Sequence, residues 1–363
     1  MDAPTMEDAP SRVTVLALSD GKPGHFHQTR GILDRLTEFE PHFVDIAFPS
    51  KRADNALRAK VAVGRSLITV GAARAWLDAA LTPESASALA DVPRPDIVLS
   101  TGSSVAGPNR LVARLNGARS VVCTRPSPIG ARGFDLAILP RHQWGHGEGN
   151  AVNVLGVPTH IRPQAVTRRR EELAREGGPA PGRALGLLFG GDDRRYRWTL
   201  EAATKVVESL TAVANRADMQ VAIATSRRTP QDVTDYIRSR VSQSPVCAYA
   251  AFPDDDPPKQ DVALTVLAHS VWTAVTVDSF SMVCEAASAG TPVGLIEIPP
   301  RRPDRFAVAF DAIAERTRLT RMRPDTLYEV ATSLTQSPPD VEALDDAGTA
   351  ADAIRRLMSA AVA

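Results

Sequence analysis

The chain carries no surplus charge of either sign: 42 Lys+Arg stand against 42 Asp+Glu in 363 residues. That balance excludes a broad electrostatic grip on nucleic acid or on an anionic membrane, while a local basic patch stays open. Cysteine is scarce. Cys123, Cys247 and Cys284 form no C-x-x-C pair. Their odd number argues against a disulfide framework or a structural zinc site and for a reducing, cytoplasmic setting. Long apolar runs are missing too. Residues 1–11 are acidic and contain proline, with no apolar stretch of the secretory kind. The longest helical candidate, Val61–Leu81, is interrupted by Arg65, Arg74 and Asp78, which makes it a core helix and not a membrane span. What remains is 44% apolar and 23% charged residues, an ordinary globular balance that excludes disorder as the main state.

Short β-branched runs alternate with helical stretches along the whole chain. Val13–Leu18, Phe43–Phe48, Ile97–Ser100, Val121–Thr124 and Leu136–Leu139 read as strands. Gly24–Phe39 and Pro108–Asn116 read as helices between them, the second with proline in its first turn. Residues 162–183, rich in charge, Gly and Pro, read as an interdomain connector with a short helix over Thr167–Arg175. The alternation then restarts. Strands are expected at Ala184–Phe189, Gln220–Thr225, Val246–Tyr249, Val271–Val277 and Val293–Ile298, with helices at Trp198–Ala214 and Ser279–Ala289 and a helical, Ala-rich tail. Such alternation, with Gly-rich strand exits, predicts an α/β protein of two Rossmann-like domains, parallel sheets covered on both faces. Its chemistry is expected in a cleft between them, on loops leaving strand C-termini.

Four such loops stand out. The first is Ser19-Asp20-Gly21-Lys22-Pro23-Gly24-His25. It is not G-x-G-x-x-G, so a dinucleotide fingerprint is not met. His25 at the first helical turn is either a general base or a residue that packs and caps the loop. The second loop, Gly190-Gly191 through Tyr196-Arg197-Trp198, is a phosphate-cradle candidate that lacks the G-K-[ST] of a Walker A. In the third, Thr229 reads as a helix N-cap and Pro230 as the first helical residue. Ser226, Arg227 and Arg228 therefore sit between a strand end and a helix start, a setting for an anion or an ordinary surface turn. The fourth runs from Asp278-Ser279 through Ser281-Met282 to Glu285. Glu285 is misplaced for a capping box, which leaves either a solvated glutamate or an acceptor for ribose hydroxyls beside amides that take a pyrophosphate. Gly102-Ser103, at the exit of the third strand, forms a weaker loop of the first half.

Other clusters carry less. Asp254-Asp255-Asp256 lies in a Pro-flanked loop with no second ligand group. The four-residue spacing of His142 and His146 would suit a metal only in a helix, which Gly145 and Gly147 oppose. No metal site is expected. No G-x-S-x-G elbow is present. Arg168-Arg169-Arg170 reads as a solvated helix face with some potential as a membrane-surface patch.

Taken in order, four motifs resemble the Elm1-type mitochondrial-fission family. They are Ser19–His25 with Gln28, Gly190-Gly191 with Tyr196-Arg197-Trp198, Thr225–Pro230, and Asp278-Ser279 with Ser281-Met282 and Glu285-Ala286. That family is generally regarded as bacterial glycosyltransferases of GT-B architecture, similar in layout to the enzyme that adds N-acetylglucosamine to lipid I. The resemblance implies an acceptor-side domain over 12–161, a connector over 162–183, a donor domain over 184–345 and a C-terminal helix over 346–363 that packs back on the first domain. It implies a nucleotide-diphosphate sugar as donor and an envelope glycan or glycolipid as acceptor. A peripheral membrane contact fits that acceptor; a nucleic-acid partner and a metal cofactor do not enter. His25 and Asp20 become the catalytic candidates. Gly190, Gly191, Tyr196, Ser226, Arg227, Arg228, Ser279, Ser281, Met282 and Glu285 become donor contacts. Gly21, Lys22, Gly24, Gln28, Gly102 and Ser103 fall on the acceptor side. The chain departs from the family at Val271-Trp272-Thr273, at Phe280 and at Thr124-Arg125-Pro126-Ser127-Pro128, the last in the acceptor half. A non-catalytic scaffold, or an epimerase or hydrolase of sugar nucleotides on the same fold, are the alternatives.

Overall fold

The computed structural model describes residues 12–64, 68–145, 149–242 and 244–360. By internal contacts the chain forms two units. One runs to Val154 and resumes at Ala347; the other spans Leu155–Asp346.

The first unit is built on six parallel strands: β1 (Thr14–Ser19), β2 (Glu40–Asp45), β3 (Ile97–Thr101), β4 (Arg119–Cys123), β5 (Leu136–Pro140) and β6 (Ala151–Val154), in the order β2-β1-β3-β4-β5-β6. Helices α1 (Pro23–Leu33), α2 (Lys51–Gly64), α3 (Val70–Ala80), α4 (Pro83–Ala90) and α5 (Ala106–Asn116) connect them. β3 and β5 are buried along their whole length, which is why they read as unbroken apolar runs. The strand order reverses between β1 and β3, so the loops that leave these two strands flank the crevice where α/β sheets take ligands.

The second unit repeats the plan. Its strands are β7 (Ala184–Phe189), β8 (Gln220–Thr225), β9 (Cys247–Ala251), β10 (Ser270–Thr276), β11 (Val293–Ile296) and β12 (Thr320–Met322), all parallel, in the order β12-β11-β10-β7-β8-β9. Helices α6 (Pro163–Glu176), α7 (Leu200–Arg216), α8 (Gln231–Val241), α9 (Val262–His269), α10 (Phe280–Ala287), α11 (Ala307–Thr317) and α12 (Leu327–Gln336) cover it. Here the reversal lies between β7 and β10, beside Gly190-Gly191 and Asp278. A last helix, α13 (Asp346–Ser359), packs Ala350, Ala351 and Ile354 into the first unit's core with Val15, Ile32 and Leu36. Arg355 fixes it there, donating to Glu38 Oε1 at 2.7 Å and to the Arg35 carbonyl.

The fold class is the expected one, two Rossmann-like α/β units. Several boundaries differ. The expected connector over 162–183 is largely α6, and that helix belongs to the second unit. Val166 and Leu173, seven residues apart, put one stripe of an otherwise charged helix into the core. Arg170 is not a solvated or membrane-facing side chain: it donates to the carbonyls of Ala268 at 3.0 Å and Ser270 at 2.8 Å. Arg169 bonds Glu172, Glu176 and Thr265. The helix expected over Val61–Leu81 is two helices. Gly64 closes α2, and Thr69 caps α3 by accepting from Ala72 N–H at 3.2 Å; residues 65–67 lie outside the described ones. α1 stops at Leu33, after which successive turns still bury Leu36. β2 begins at Glu40 instead of Phe43; its Pro41 is tolerated because β2 is an edge strand. α7 starts at Leu200 behind a Thr199 cap, because Trp198 turns into the core against Phe189. Among the described residues no helix is long and apolar enough to cross a membrane.

Where the chain enters and leaves the second unit, Asp346 accepts from the N–H groups of Leu155 at 3.1 Å and Gly156 at 2.6 Å. Burial pushes its carboxyl up to about 6, although the two N–H bonds oppose the shift. Asp346 therefore holds its proton more tightly folded than unfolded. Its stabilising contribution is full below the ordinary 3.8 and is lost as pH rises through about 6. Relative to wild type, Asp346→Asn should gain about 2 kcal/mol of unfolding free energy between pH 4 and 7. Urea unfolding across that range reads the difference, and a flat difference would show that Asp346 does not titrate there.

Candidate functional site

In the first unit the loops leaving β1 and β3 meet on one histidine. His25 follows Pro23 in the first turn of α1 and its Nδ1 lies 3.0 Å from both oxygens of Asp20. Asp20 is buried, and Lys22 Nζ reaches it at 2.5 Å. Burial alone would raise the Asp20 carboxyl, but the hydrogen bonds and charges of His25 and Lys22 outweigh it and hold the group at about 2. A carboxylate at Nδ1 assigns a proton to that nitrogen, so in the neutral imidazole Nε2 is the acceptor. The ring lies over Gly102: a Cβ there would stand 2.4 Å from His25 Cε1, and the residue has φ +95°. Glycine is thus required by both contact and conformation.

The rest of this edge is knitted together. Ser103 Oγ accepts from Ser127 N–H at 3.2 Å. Ser104 Oγ donates to Asp54 at 3.2 Å, and Asp54 also holds Lys51 and Arg58. Gln28 is buried against Cys123, and Thr29 bonds Thr101 at 2.8 Å. Gly21 turns the loop at φ +72°; a Cβ on Gly24 would meet nothing. Asp54, Lys51 and Arg58 were not anticipated, since nothing in their local spacing ties an aspartate in the first turn of α2 to a loop 50 residues on.

In the second unit, the loops after β7, β8 and β10 converge on Asp278, whose side chain is fully buried. It accepts from Gly191 N–H at 2.7 Å, Trp198 Nε1 at 2.9 Å and Arg228 Nη2 at 3.1 Å. Burial pushes its carboxyl up, against these bonds and the Arg228 charge. The two glycines are explained by this packing. A Cβ on Gly190 would fall 2.1 Å from Asp278 Oδ2, and one on Gly191 would fall 2.1 Å from the Arg228 backbone. Their amides are not free for a phosphate: Gly190 N–H goes to Thr276 Oγ1 at 2.7 Å and Gly191 N–H to Asp278. Ser226 is likewise engaged, donating to the Gly190 carbonyl at 2.8 Å and accepting from Arg228 N–H at 3.2 Å. Thr229 is no helix cap. Its hydroxyl bonds the Gly190 carbonyl and accepts from Ser226 N–H, so Pro230 is the N-cap and α8 starts at Gln231.

Tyr196 is buried and gives its hydroxyl to Asp304 Oδ2 at 2.7 Å; burial and that carboxylate push its phenol up. Arg195 bridges Asp304, Asp193 and the Asp278 carbonyl. These residues lock the loop after β11 onto the loop after β7. What still faces outward is Arg227, exposed and without a hydrogen bond among the described residues, and Arg228, pinned at one end by Asp278. Beside them is the start of α10, capped by the backbone of Ser279, with Ser281, Met282 and Glu285 half-buried on it. The Asp254–Asp256 loop is engaged elsewhere, Asp254 with Arg238 and Asp255 with Arg238 and Lys259. Of the His142/His146 stretch, residues 146–148 lie outside the described ones.

Two parallel, doubly wound units of this kind define the GT-B class of Rossmann-like proteins. Solved structures of similar fold include a Listeria monocytogenes protein assigned as a UDP-N-acetylglucosamine 2-epimerase (12% identity, 97% of each chain, TM-score 0.57). Another is the UDP-N-acetylglucosamine 2-epimerase of Methanocaldococcus jannaschii, solved with UDP-N-acetylglucosamine and UDP (12% identity, 96% of this chain and 99% of that one, TM-score 0.51). At such identities the likeness is one of fold. An uncharacterized protein of Rickettsia prowazekii is 29% identical over 130 residues, which span 36% of this chain and 36% of that relative's length. The particular family is clear: the chain belongs to the mitochondrial fission ELM1 family, whose model matches residues 23–358.

Proposed function

We propose that the protein transfers a sugar from a nucleotide-diphosphate sugar to an envelope glycan or glycolipid acceptor, with no obligatory metal. The observation that carries this reading is the convergence on Asp278, which fixes Arg228 beside the start of α10. Guanidinium groups and a helix N-terminus suit a diphosphate, and they matter most as it gains charge on leaving. Arg227, Arg228 and the α10 amides take the diphosphate, and Glu285, one turn on, accepts the ribose hydroxyls. Gly190, Gly191, Ser226 and Tyr196 act behind them, by holding the loops. In the first unit, His25 Nε2 takes the acceptor hydroxyl proton while Asp20 steadies the imidazolium. The acceptor oxygen bonds to the anomeric carbon as the carbon–oxygen bond to the diphosphate breaks, and the diphosphate departs with the electron pair.

Calorimetric titration with UDP, GDP, CMP and TDP sugars tests the donor site. One of them should bind, and Glu285→Ala should weaken it about tenfold or more. If none binds, or if Glu285→Ala changes nothing, the donor assignment fails. Product analysis separates the chemistries. Release of an epimer or of free sugar without acceptor would replace transfer by epimerisation or hydrolysis. A stable protein partner indifferent to nucleotide would favour a scaffold.

A further inference from the structure

The first unit has a concave site at the end of the sheet opposite His25. There α5 ends and β4 and β5 begin, around a cavity of about 380 Å³ lined by Ile68, Arg110, Arg114, Gly117, Ser120 and Asp135 among others. Arg110 and Arg114 are four apart on α5 and so share one face. Arg114 is anchored by Nε to the Ile68 carbonyl at 2.9 Å, and its two terminal nitrogens donate no hydrogen bond among the described residues. Arg110 is half-buried, with the Phe134 ring 5.9 Å away, and it donates no hydrogen bond among the described residues. A guanidinium carries five donors, and withdrawing them from water without an acceptor is unfavourable. Burial and the Arg114 charge pull the Arg110 pKa down, while the Asp135 charge opposes them.

The cavity is not purely cationic. Asp135 Oδ2 is held by Ser120 N–H at 2.8 Å and Oγ at 2.6 Å, so its other oxygen, 3.5 Å from Arg119, remains an acceptor. Two guanidiniums beside a carboxylate match a ligand with a dianionic end and a hydroxylated end. The volume falls in the range of small-molecule sites and exceeds what a bare oxyanion fills. We infer that this cavity binds a phosphorylated sugar or polyol, with its phosphoryl group on Arg110 and Arg114 and its hydroxyls on Asp135. The site is independent of the proposed transfer reaction.

Glucose 6-phosphate, inorganic phosphate and glucose are the probes, titrated calorimetrically into the full chain. The expected order is glucose 6-phosphate tighter than phosphate, and no binding of glucose. Arg110→Gln and Arg114→Gln should each weaken glucose 6-phosphate about tenfold or more, and Arg228→Gln, in the second unit, should not. Side-chain amide spectra of the wild type give a readout that needs no variant: the Arg110 Nε–H signal should move on titration. No binding at millimolar concentration, equal affinity for bare phosphate, retention in both cavity variants, or loss in Arg228→Gln alone would each overturn the inference.

Discussion

Asp278→Ala should destabilise the second unit by about 3–5 kcal/mol. The carboxylate is fully buried and serves three donors from two loops: Gly191 N–H and Trp198 Nε1 after β7, and Arg228 Nη2 after β8. Trp198 is itself buried, so its indole N–H would be left without an acceptor, at about 1–3 kcal/mol. Gly191 N–H would be left in the same state. Arg228 is partly exposed and can turn to water, which keeps its share small. Asp278→Asn keeps the volume but offers one acceptor oxygen where three donors converge, so it should fall between alanine and wild type. Urea unfolding followed by tryptophan fluorescence measures the change, and less than about 1 kcal/mol would mean that Asp278 is not the organising group. The same variant should lose nucleotide affinity beyond its loss of stability, because the loops after β7, β8 and β10 no longer share an anchor.

The second large effect concerns turnover. With the nucleotide sugar found by the binding panel, His25→Ala should lower kcat by about 10²–10⁴-fold and leave KM for the donor nearly unchanged. Asp20→Asn should also lower kcat, because an amide can present its N–H to Nδ1 and so favour the other tautomer. Asp20 is ionised down to about pH 2, so no acid limb of the rate profile near neutrality belongs to it. Turnover within about threefold of wild type would remove His25 from proton transfer. It would then act by filling the space over Gly102.

Much of the architecture was readable because the elements obey local rules. Ala184–Phe189 and Gln220–Thr225 are strands with the bounds expected of them. A strand buried on both faces is an unbroken apolar run, and a glycine pair or a serine ends it. Helices followed the same logic only where one face was apolar. α9 has apolar residues all round and so has no periodic signal, and it was not anticipated; α6 hid two core residues among charges. The boundary errors near Trp198 and Thr229 share one cause. Each residue has a good local role at a helix start, yet each is drawn off by a partner far away in sequence, Asp278 for Trp198 and Gly190 for Thr229.

The sequence by itself determined the two α/β units, their parallel sheets and the candidate loops at the strand exits, because periodicity and strand-exit glycines are local properties. It offered His25 and Asp20 as alternative bases on one loop; that Asp20 holds His25 Nδ1 is read from the structure. Only the tertiary structure decided what the glycines are for. Gly190 and Gly191 are small because Asp278 and the Arg228 backbone come within contact distance, and their amides serve that packing. The arginines were decided in the same way. Arg170 and Arg195 are internal struts, Arg227 faces outward, and Arg110 lines a cavity and donates no hydrogen bond among the described residues. A zero net charge could not distinguish these states, because charge is a property of residues, whereas pairing depends on which strands lie side by side.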